Sequence, residues 1–300
     1  MSVLVRASRG GVELEVELER DQLLPGRLVA GVVRVTTREP IRVRGAFATL
    51  VGTEHWQWER SERSSDGTWR TETVTSRDEL PRVPVALLGL GLIEPGSTHA
   101  LPFELPVPPL GPATLDATVA GVTWELQVKL DIPDRLDAGL EIPVQIAQPT
   151  ALLRAGVVDT GQFALYPAAD SRSGDATATV ELDPVPLCLG QKARARLTIG
   201  SQRETLQEVR AELRSRIRST VSRGREEEIT IASWRISGPG EFGGSEESME
   251  VELSLPDRAL PTIELPHGRA DAQLHLILAR SLAFDTHLVR DVAVCTTTEL

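Results

Sequence analysis

The sequence predicts an all-β protein made of two consecutive β-sandwich domains. Apolar and charged residues alternate strictly from Val12 to Glu19 and from Val122 to Leu130, which is typical of strands with one buried face. Proline and glycine, with 20 and 24 residues, interrupt the chain at intervals expected for a sandwich. No long segment has a convincing 3.6-residue apolar period. The nearest approach, Leu206 to Arg218, alternates arginine with other residues and is better explained as a strand.

An internal repeat predicts that the two domains arose by duplication. Two gap-free alignments of the first half with the second bring together Val16 with Val180, Gly26 with Gly190, Leu105 with Leu255 and Leu126 with Leu276. Chance similarity between short β segments is the alternative. Duplication is favoured because the matching blocks occur in the same order in both halves. The predicted domains are residues 1–148 and 149–300.

Charge and hydropathy exclude some classes of function. The net charge of −11 disfavours nucleic-acid binding, which selects for basic surfaces. The longest apolar run, Pro84 to Ile93, is shorter than the ~20 residues that a membrane span needs, so no transmembrane segment is expected. This run is either an exposed apolar loop that contacts a membrane or a partner, or a buried edge strand. The edge strand is the favoured interpretation.

The cysteines and lysines give indications about the cellular compartment and the source genome rather than about the fold. Cys188 and Cys295 are too few for a disulfide framework and lie in alternating apolar stretches, so we expect both to be reduced and structural. A cytoplasmic location is then the default, with peripheral contact at a membrane as an option. Lys129 and Lys192 are the only lysines, and this preference for arginine favours a GC-rich bacterial genome.

No catalytic or metal-binding arrangement is visible in the sequence. Neither cysteine has a CxxC partner, and no serine or cysteine lies in a known nucleophile motif. No two histidines have metal-ligand spacing; they are His55, His99, His267, His275 and His287. We therefore expect a protein that is not an enzyme, with no catalytic residues, no bound metal and no cofactor.

Tryptophans mark a long polar hairpin in the first domain. Trp56 and Trp58 fall on one face of its first strand, and Trp69 lies in the polar stretch that follows. Packing within the sandwich or hairpin is the favoured interpretation of the first two, because aromatic side chains are usually buried. The alternative is an aromatic surface that contacts a partner, for which Trp69 is the strongest candidate.

Arginines form a second candidate site in the second domain. Arg214, Arg216 and Arg218 share one strand face, and Arg223 and Arg225 follow closely. One hypothesis is a local site for anionic lipid headgroups or an acidic peptide. The favoured alternative is a solvated face whose arginines pair with the acidic run at residues 226–228.

Four segments of the chain resemble arrestin-like proteins in their order and spacing. They are Pro25-Gly26-x-Leu28-x-x-Gly31-x-Val33-x-Val35, then Val43 to Leu50 with Gly52 and Glu54, then Ile93-Glu94-Pro95-Gly96 with Leu101-Pro102-Phe103-Glu104-Leu105-Pro106, then Trp124-x-Leu126-x-Val128-x-Leu130-Asp131-Ile132-Pro133. The last two resemble most closely the bacterial sporulation-control branch of that superfamily.

The resemblance implies two immunoglobulin-like sandwiches in an arrestin-like arrangement and a non-catalytic protein that binds other proteins. We expect an intracellular adaptor or regulatory scaffold. The main alternative is a structural protein that self-associates through exposed strand edges. The receptor-binding arrestins carry a phosphate-sensing arginine in the last strand of the first domain. The comparable place here, Ile142 to Gln145, has no basic residue, so recognition of phosphorylated receptors is not implied.

Overall fold

The structure, a computed structural model, describes residues 3–133, 135–149, 159–166, 177–200, 206–238, 241, 245–257, 259–280 and 285–297. Every regular element in these ranges is a strand, which confirms the all-β prediction. The chain divides into two compact units, Met1–Ala147 and Gln148–Leu300.

The N-terminal unit contains a four-stranded sheet, a six-stranded sheet and a two-stranded ribbon. Its strands are β1 (Val3–Arg9), β2 (Val12–Leu18), β3 (Gln22–Leu23), β4 (Leu28–Thr37), β5 (Ile41–Val43), β6 (Gly45–Arg63), β7 (Trp69–Glu79), β8 (Val83–Leu88), β9 (Gly91–Ile93), β10 (Thr98–Pro106), β11 (Ala120–Asp131) and β12 (Ala138–Ile146). The smaller sheet has the order β1-β2-β4-β10, and the larger has the order β3-β12-β11-β6-β7 with β8 also paired to β6. The ribbon is β5-β9.

The alternating sequence explains how each strand contributes to the core. In β2 the valines and leucines are buried, while the glutamates between them face outward. In β11 the residues from Val122 to Leu130 alternate in the same way, with Trp124 and Leu126 almost completely buried. Because successive side chains point to opposite faces of a strand, each sheet presents one apolar face to the core.

The C-terminal unit repeats this arrangement. Its strands are β13 (Asp159–Gln162), β14 (Ala164–Leu165), β15 (Ala178–Asp183), β16 (Leu187–Cys188), β17 (Lys192–Ile199), β18 (Leu206–Ser219), β19 (Glu226–Ser237), β20 (Glu247–Ser254), β21 (Ile263–Glu264), β22 (Gly268–Arg280), β23 (Thr286–Val292) and β24 (Val294–Cys295). The sheets have the orders β13-β15-β17-β20 and β14-β23-β22-β18-β19, with β21 paired to β22 and β16 paired to β24. Side chains from both sheets form one buried apolar cluster.

A threonine forms the same hydrogen bonds in both units. The backbone N–H of Thr114 donates to the carbonyl of Ile146 at 2.9 Å, and the Thr114 hydroxyl accepts from the Ile146 N–H at 2.8 Å. Thr262 and Val294 form the same two bonds at 2.9 and 3.0 Å. Both bonds fasten the last strand of a unit, and their recurrence supports our proposal of duplication.

The strand register corrects the second of the two sequence alignments by two residues. Leu126 corresponds in the structure to Leu274, whereas the alignment paired it with Leu276; all three lie in the equivalent strands β11 and β22. Equivalent residues of the two units are 148 positions apart in this region, because the backbone pairing of Leu115 with Val122 recurs as the pairing of Ile263 with Ala270. A slip of two residues keeps every side chain on the same face, so the apolar pattern could not reveal it. The first alignment is in register, because Val16 faces Val33 and Val180 faces Leu197.

The expectation of two reduced cysteines was wrong. Cys188 and Cys295 form a disulfide whose Cα atoms are 4.8 Å apart, joining the paired strands β16 and β24. The two residues are 107 positions apart in the chain, and apolar alternation carries no information about such a distant contact. Disulfides are typical of oxidising compartments, so the cytoplasmic expectation loses the cysteine argument on which it rested.

The apolar run from Pro84 to Ile93 combines both interpretations made from the sequence. Its first half belongs to β8, a half-buried strand that pairs with β6 at one side of the sheet. Its second half includes Leu90 and Leu92, whose side chains are exposed. The described part of the chain contains no helix with the length and apolar character needed to cross a bilayer.

Candidate functional site

The hairpin formed by β6 and β7 extends beyond the sheet that holds it. In β6, pairing with β11 ends where Trp56 meets Ala120, although β6 continues to Arg63. One further backbone bond runs from the Gln57 N–H to the Val119 carbonyl at 2.7 Å. Beyond it, β7 is the one described strand that pairs with β6, down to the pair of Arg63 and Trp69. The outer part of this hairpin is therefore a two-stranded projection, a geometry that exposes both of its faces.

Local hydrogen bonds close the hairpin turn. One carboxylate oxygen of Asp66 accepts bonds from the Thr68 backbone N–H at 3.0 Å and from the Thr68 hydroxyl at 2.6 Å. These bonds hold the pKa of Asp66 below its usual value. Gly67 has a φ of 86°, a left-handed conformation that costs glycine little. The sequence Asp-Gly at 66–67 is itself a signal for such a turn.

The three tryptophans do not form one surface. Trp56 and Trp58 are half-buried on one face of the hairpin, and the Trp58 Nε1–H donates to the Ser76 hydroxyl at 3.0 Å. Trp69 is opposite Arg63 in the register and lies on the other face, where 70% of it is exposed. Packing thus accounts for the first two, whereas Trp69 has the exposure that an aromatic partner contact needs.

The three strand arginines of the C-terminal unit share one face of β18 and are bonded to carboxylates. Arg214 contacts Glu228 at 2.7 Å, Arg216 contacts Glu226 at 2.6 Å, and Arg218 contacts Asp271 at 3.5 Å. These pairs are what the solvated-face interpretation expects. Arg223 and Arg225 lie apart from this face, exposed in the turn between β18 and β19, where Arg223 has a φ of 57°.

Arg214 is the most enclosed of these arginines. Its Nη2 is 2.7 Å from the carboxylate of Glu212, whose side chain is 12% exposed. Burial by itself raises the pKa of Glu212, but the hydrogen bonds and charges of Arg214 and Arg210 outweigh it and hold this pKa below its usual value. The arginine therefore has a structural role: it neutralises a partly buried carboxylate.

The Glu212–Arg214 pair predicts a defined pH dependence of stability. Because the pKa of Glu212 is lowered by folding, its stabilising contribution is present above the unfolded value of ~4.3 and is lost as the pH falls through the folded value. We expect Arg214→Gln to lower the free energy of unfolding at pH 7 by about 2 kcal/mol. The loss should shrink as the pH falls through the folded pKa of Glu212, which urea denaturation at a series of pH values from 7 downward would measure.

Arg216→Gln is the matched control for this prediction. The side chains of Arg216 and Glu226 are 37% and 45% exposed, so this pair should contribute less than ~1 kcal/mol. Equal losses for the two variants at pH 7 would contradict a special role for Arg214.

The histidines and carboxylates of the described ranges do not cluster into a metal-binding site. No three His, Cys, Asp or Glu side chains there are grouped so that they hold a metal ion. His275 is fully buried against Tyr166, with ring centroids 4.9 Å apart, and burial lowers the pKa of His275 to about 4. His55 bonds the carbonyl of Ala117 at 2.8 Å. The backbone contact accounts for the His55 ring, whereas His275 packs against Tyr166 with both ring nitrogens buried and without a hydrogen-bond partner among the described residues.

A shallow cavity on the outer face of the four-stranded sheet was not found from the sequence. It has a volume of about 710 Å³ and is lined by Glu17, Glu19 and Glu104 around an apolar floor that includes Val32 and Pro102. These residues come from β4, β10 and the segment formed by β2 and Glu19 just after it, which are separated in the sequence. In the sequence, each glutamate has the pattern of an ordinary exposed strand residue, and only the pairing of the strands shows that the three lie together.

One comparison with known families found a match. Residues 12–152 match the family described as Arrestin (or S-antigen), N-terminal domain. No curated protein matches the chain. The matched range covers nearly all of the N-terminal unit, including the β6–β7 hairpin and the acidic cavity.

Proposed function

We propose that this chain is a protein-binding adaptor or regulatory scaffold. The proposal is supported by the match to an arrestin N-terminal domain and by the all-β, arrestin-like fold. Arrestin-like domains bind proteins, and this fold is generally non-catalytic. The motifs at residues 93–106 and 124–133 support the finer proposal that the chain falls in the bacterial sporulation-control branch.

The projecting β6–β7 hairpin is the observation that carries the proposal. Its length beyond β11, its hydrogen-bonded turn and the 70% exposure of Trp69 together present a large aromatic side chain on a projecting hairpin. Exposed tryptophans at the centre of an interface contribute a large share of binding energy, because they bury much apolar area with few rotatable bonds. We propose that the partner contacts this hairpin at Trp69.

Affinity capture with Trp69→Ala tests this proposal. The immobilised wild-type chain, Trp69→Ala and the control Leu110→Ala are exposed to an extract of the native host, and retained proteins are quantified by mass spectrometry. Leu110 is 91% exposed and lies outside the hairpin, so its variant controls for the loss of any exposed apolar residue. We expect at least one protein to bind the wild type and the control but to bind Trp69→Ala about tenfold or more weakly.

Two outcomes of the capture experiment would contradict the proposal. Retention of the same proteins in equal amounts by all three chains would remove the hairpin as the contact. Retention of no protein that requires the folded chain would contradict the adaptor function itself.

Self-association is the second candidate, favoured by the position of β7 at the end of the strand order. This strand ends the six-stranded sheet and is exposed along most of its length, so its outer edge can pair with another strand. Charged residues such as Arg70, Glu72 and Asp78 work against such pairing. Sedimentation velocity at rising concentration separates the candidates: an adaptor keeps a constant small size, whereas a structural protein forms progressively larger species.

The anion site at Arg214, Arg216, Arg218, Arg223 and Arg225 remains a proposal. Arg214, Arg216 and Arg218 would have to exchange their carboxylate partners for a ligand, which makes any binding weak and salt-sensitive.

A further inference from the structure

The outer edge of β7 presents a defined set of backbone groups. At one end of the β6–β7 hairpin the Leu80 N–H donates to the Gly52 carbonyl at 2.9 Å, and at the other end the Ser64 N–H donates to the Thr68 carbonyl at 2.8 Å. Antiparallel pairs alternate between those that exchange such bonds and those that do not. The even-numbered residues of β7 therefore bond to β6, and the backbone groups of its odd-numbered residues point outward.

A second copy of β7 can supply the complementary set of groups. Two residues of a bonded antiparallel pair exchange both N–H···O bonds, so an odd-numbered residue must face another odd-numbered residue. A two-fold axis that passes through a residue of β7 meets this condition, whereas an axis between two residues does not. The contact is then isologous, because both copies use the same edge.

The charges of β7 select one of these registers. Val74 lies midway between Arg70 and Asp78, so an axis at Val74 places Arg70 of each copy opposite Asp78 of the other. An axis at Glu72 places that carboxylate opposite itself, and an axis at Thr75 places Glu72 opposite Asp78. An axis at residue 73 or 76 forms no pair of opposite charges. Opposite charges directly across two strands stabilise the pairing, and like charges destabilise it.

Both selecting charges are available to a second copy. Arg60 occupies the carboxylates nearest to Arg70, with Glu62 at 3.1 Å and Glu72 at 2.8 Å. Among the described residues, no carboxylate is paired with Arg70, which is exposed. The exposed Asp78 carboxylate accepts a backbone N–H from the next residue at 3.0 Å, and no described cation is bonded to it.

Apolar packing selects the same register. Val74 faces Trp58 across the hairpin, and both side chains are half-buried in a part of the hairpin that is otherwise mostly exposed. With the axis at Val74, this side chain also faces Val74 of the second copy. The two valines and the two tryptophans then form one row across four strands, and the contact covers apolar area that a single hairpin leaves exposed.

We propose that two copies of this chain form a dimer by antiparallel pairing of β7 about a two-fold axis at Val74. Because both copies use the same edge, the pairing is complete with two chains and does not continue into a fibre. The dimer goes beyond the adaptor function and does not depend on it. Trp69 lies on the face opposite to Val74, so edge pairing leaves its ring open to another protein.

Charge exchange across the axis tests the dimer by sedimentation velocity. With rising concentration the wild type should approach twice the mass of one chain and no more. Arg70→Asp and Asp78→Arg each create two pairs of like charges, so each variant should dimerise about tenfold more weakly. An equimolar mixture of the two variants should regain the wild-type affinity, because each pair again joins an acidic and a basic side chain.

A cysteine on the axis gives a direct measurement. The Cα atoms of a non-bonded antiparallel pair are about 4.5 Å apart, which is within the range of a disulfide. Val74→Cys should therefore form a covalent dimer under mild oxidation. Thr71→Cys is the matched control, because this exposed residue of the same strand would face Arg77 of the second copy and should not cross-link. Equal melting temperatures of the reduced variants would show that both are folded.

Four results would overturn the dimer. The first is a wild type that stays monomeric while Val74→Cys cross-links no faster than Thr71→Cys. The second is growth beyond two chains, which would support open-ended pairing of strand edges. The third is unchanged dimerisation of Arg70→Asp, which would place the interface elsewhere. The fourth is a monomeric wild type that captures a host protein lost in Arg70→Asp, which would assign the edge of β7 to a strand of that protein and leave the adaptor function intact.

Discussion

Removing the Cys188–Cys295 disulfide is expected to lower the free energy of unfolding of the C-terminal unit by about 2–5 kcal/mol. The cross-link closes a segment of 107 residues, and a loop of that length restricts the unfolded chain strongly. It also reinforces β24, a strand of two residues that is otherwise held by its pairing with β16 and by the bonds between Thr262 and Val294. Urea denaturation of the oxidised and the fully reduced protein measures the difference.

The N-terminal unit indicates a double substitution that removes the cross-link but preserves the packing, so the two effects on stability can be separated. Leu24 and Ala147 occupy the positions equivalent to Cys188 and Cys295, because Leu23 pairs with Ile146 as Leu187 pairs with Val294. Cys188→Leu/Cys295→Ala therefore keeps an apolar pair that this fold already accommodates. We expect it to be destabilised like the reduced protein and to be insensitive to reductant. Two free thiols in the purified, denatured wild type would contradict the disulfide.

Gly121→Ala is expected to destabilise the N-terminal unit by about 1–3 kcal/mol and to disturb the base of the β6–β7 hairpin. A Cβ at Gly121 would lie 2.5 Å from the Leu115 carbonyl oxygen and 2.5 Å from the ring of His55. The carbonyl belongs to the backbone, so no side-chain rotation relieves the clash. His55 in β6 is paired with Gly121 in β11, just before the hairpin extends beyond the sheet.

Gly139→Ala is the control for this substitution. A Cβ at Gly139 would have its nearest neighbour, the Val128 carbonyl oxygen, at 3.4 Å, and the residue is exposed in β12. We expect a change within about 0.5 kcal/mol. Thermal melts give the stability of both variants, and the fluorescence of Trp58 and Trp69 reports on the hairpin. Equal stability of the two variants would show that the sheet around Gly121 can shift without cost.

The sequence by itself determined the fold class, because one buried face of a strand requires alternation along the chain. Val12 to Leu18 and Val122 to Leu130 could be assigned from that rule alone, and β2 and β11 contain them. The order of the arrestin-like segments also came from the sequence, and residues 12–152 match that domain. The same alternation could not set the register of Leu126, since a slip of two residues preserves the pattern.

Only the tertiary structure decided which distant residues meet. The disulfide joins residues 107 positions apart, and the acidic cavity combines three strands. The separation of Trp69 from Trp56 and Trp58 depends on the hairpin register, and the ion pair of Arg218 with Asp271 depends on the pairing of β18 with β22. Local sequence rules describe a residue and its nearest neighbours, whereas these contacts arise when sheets pair and pack over a common core.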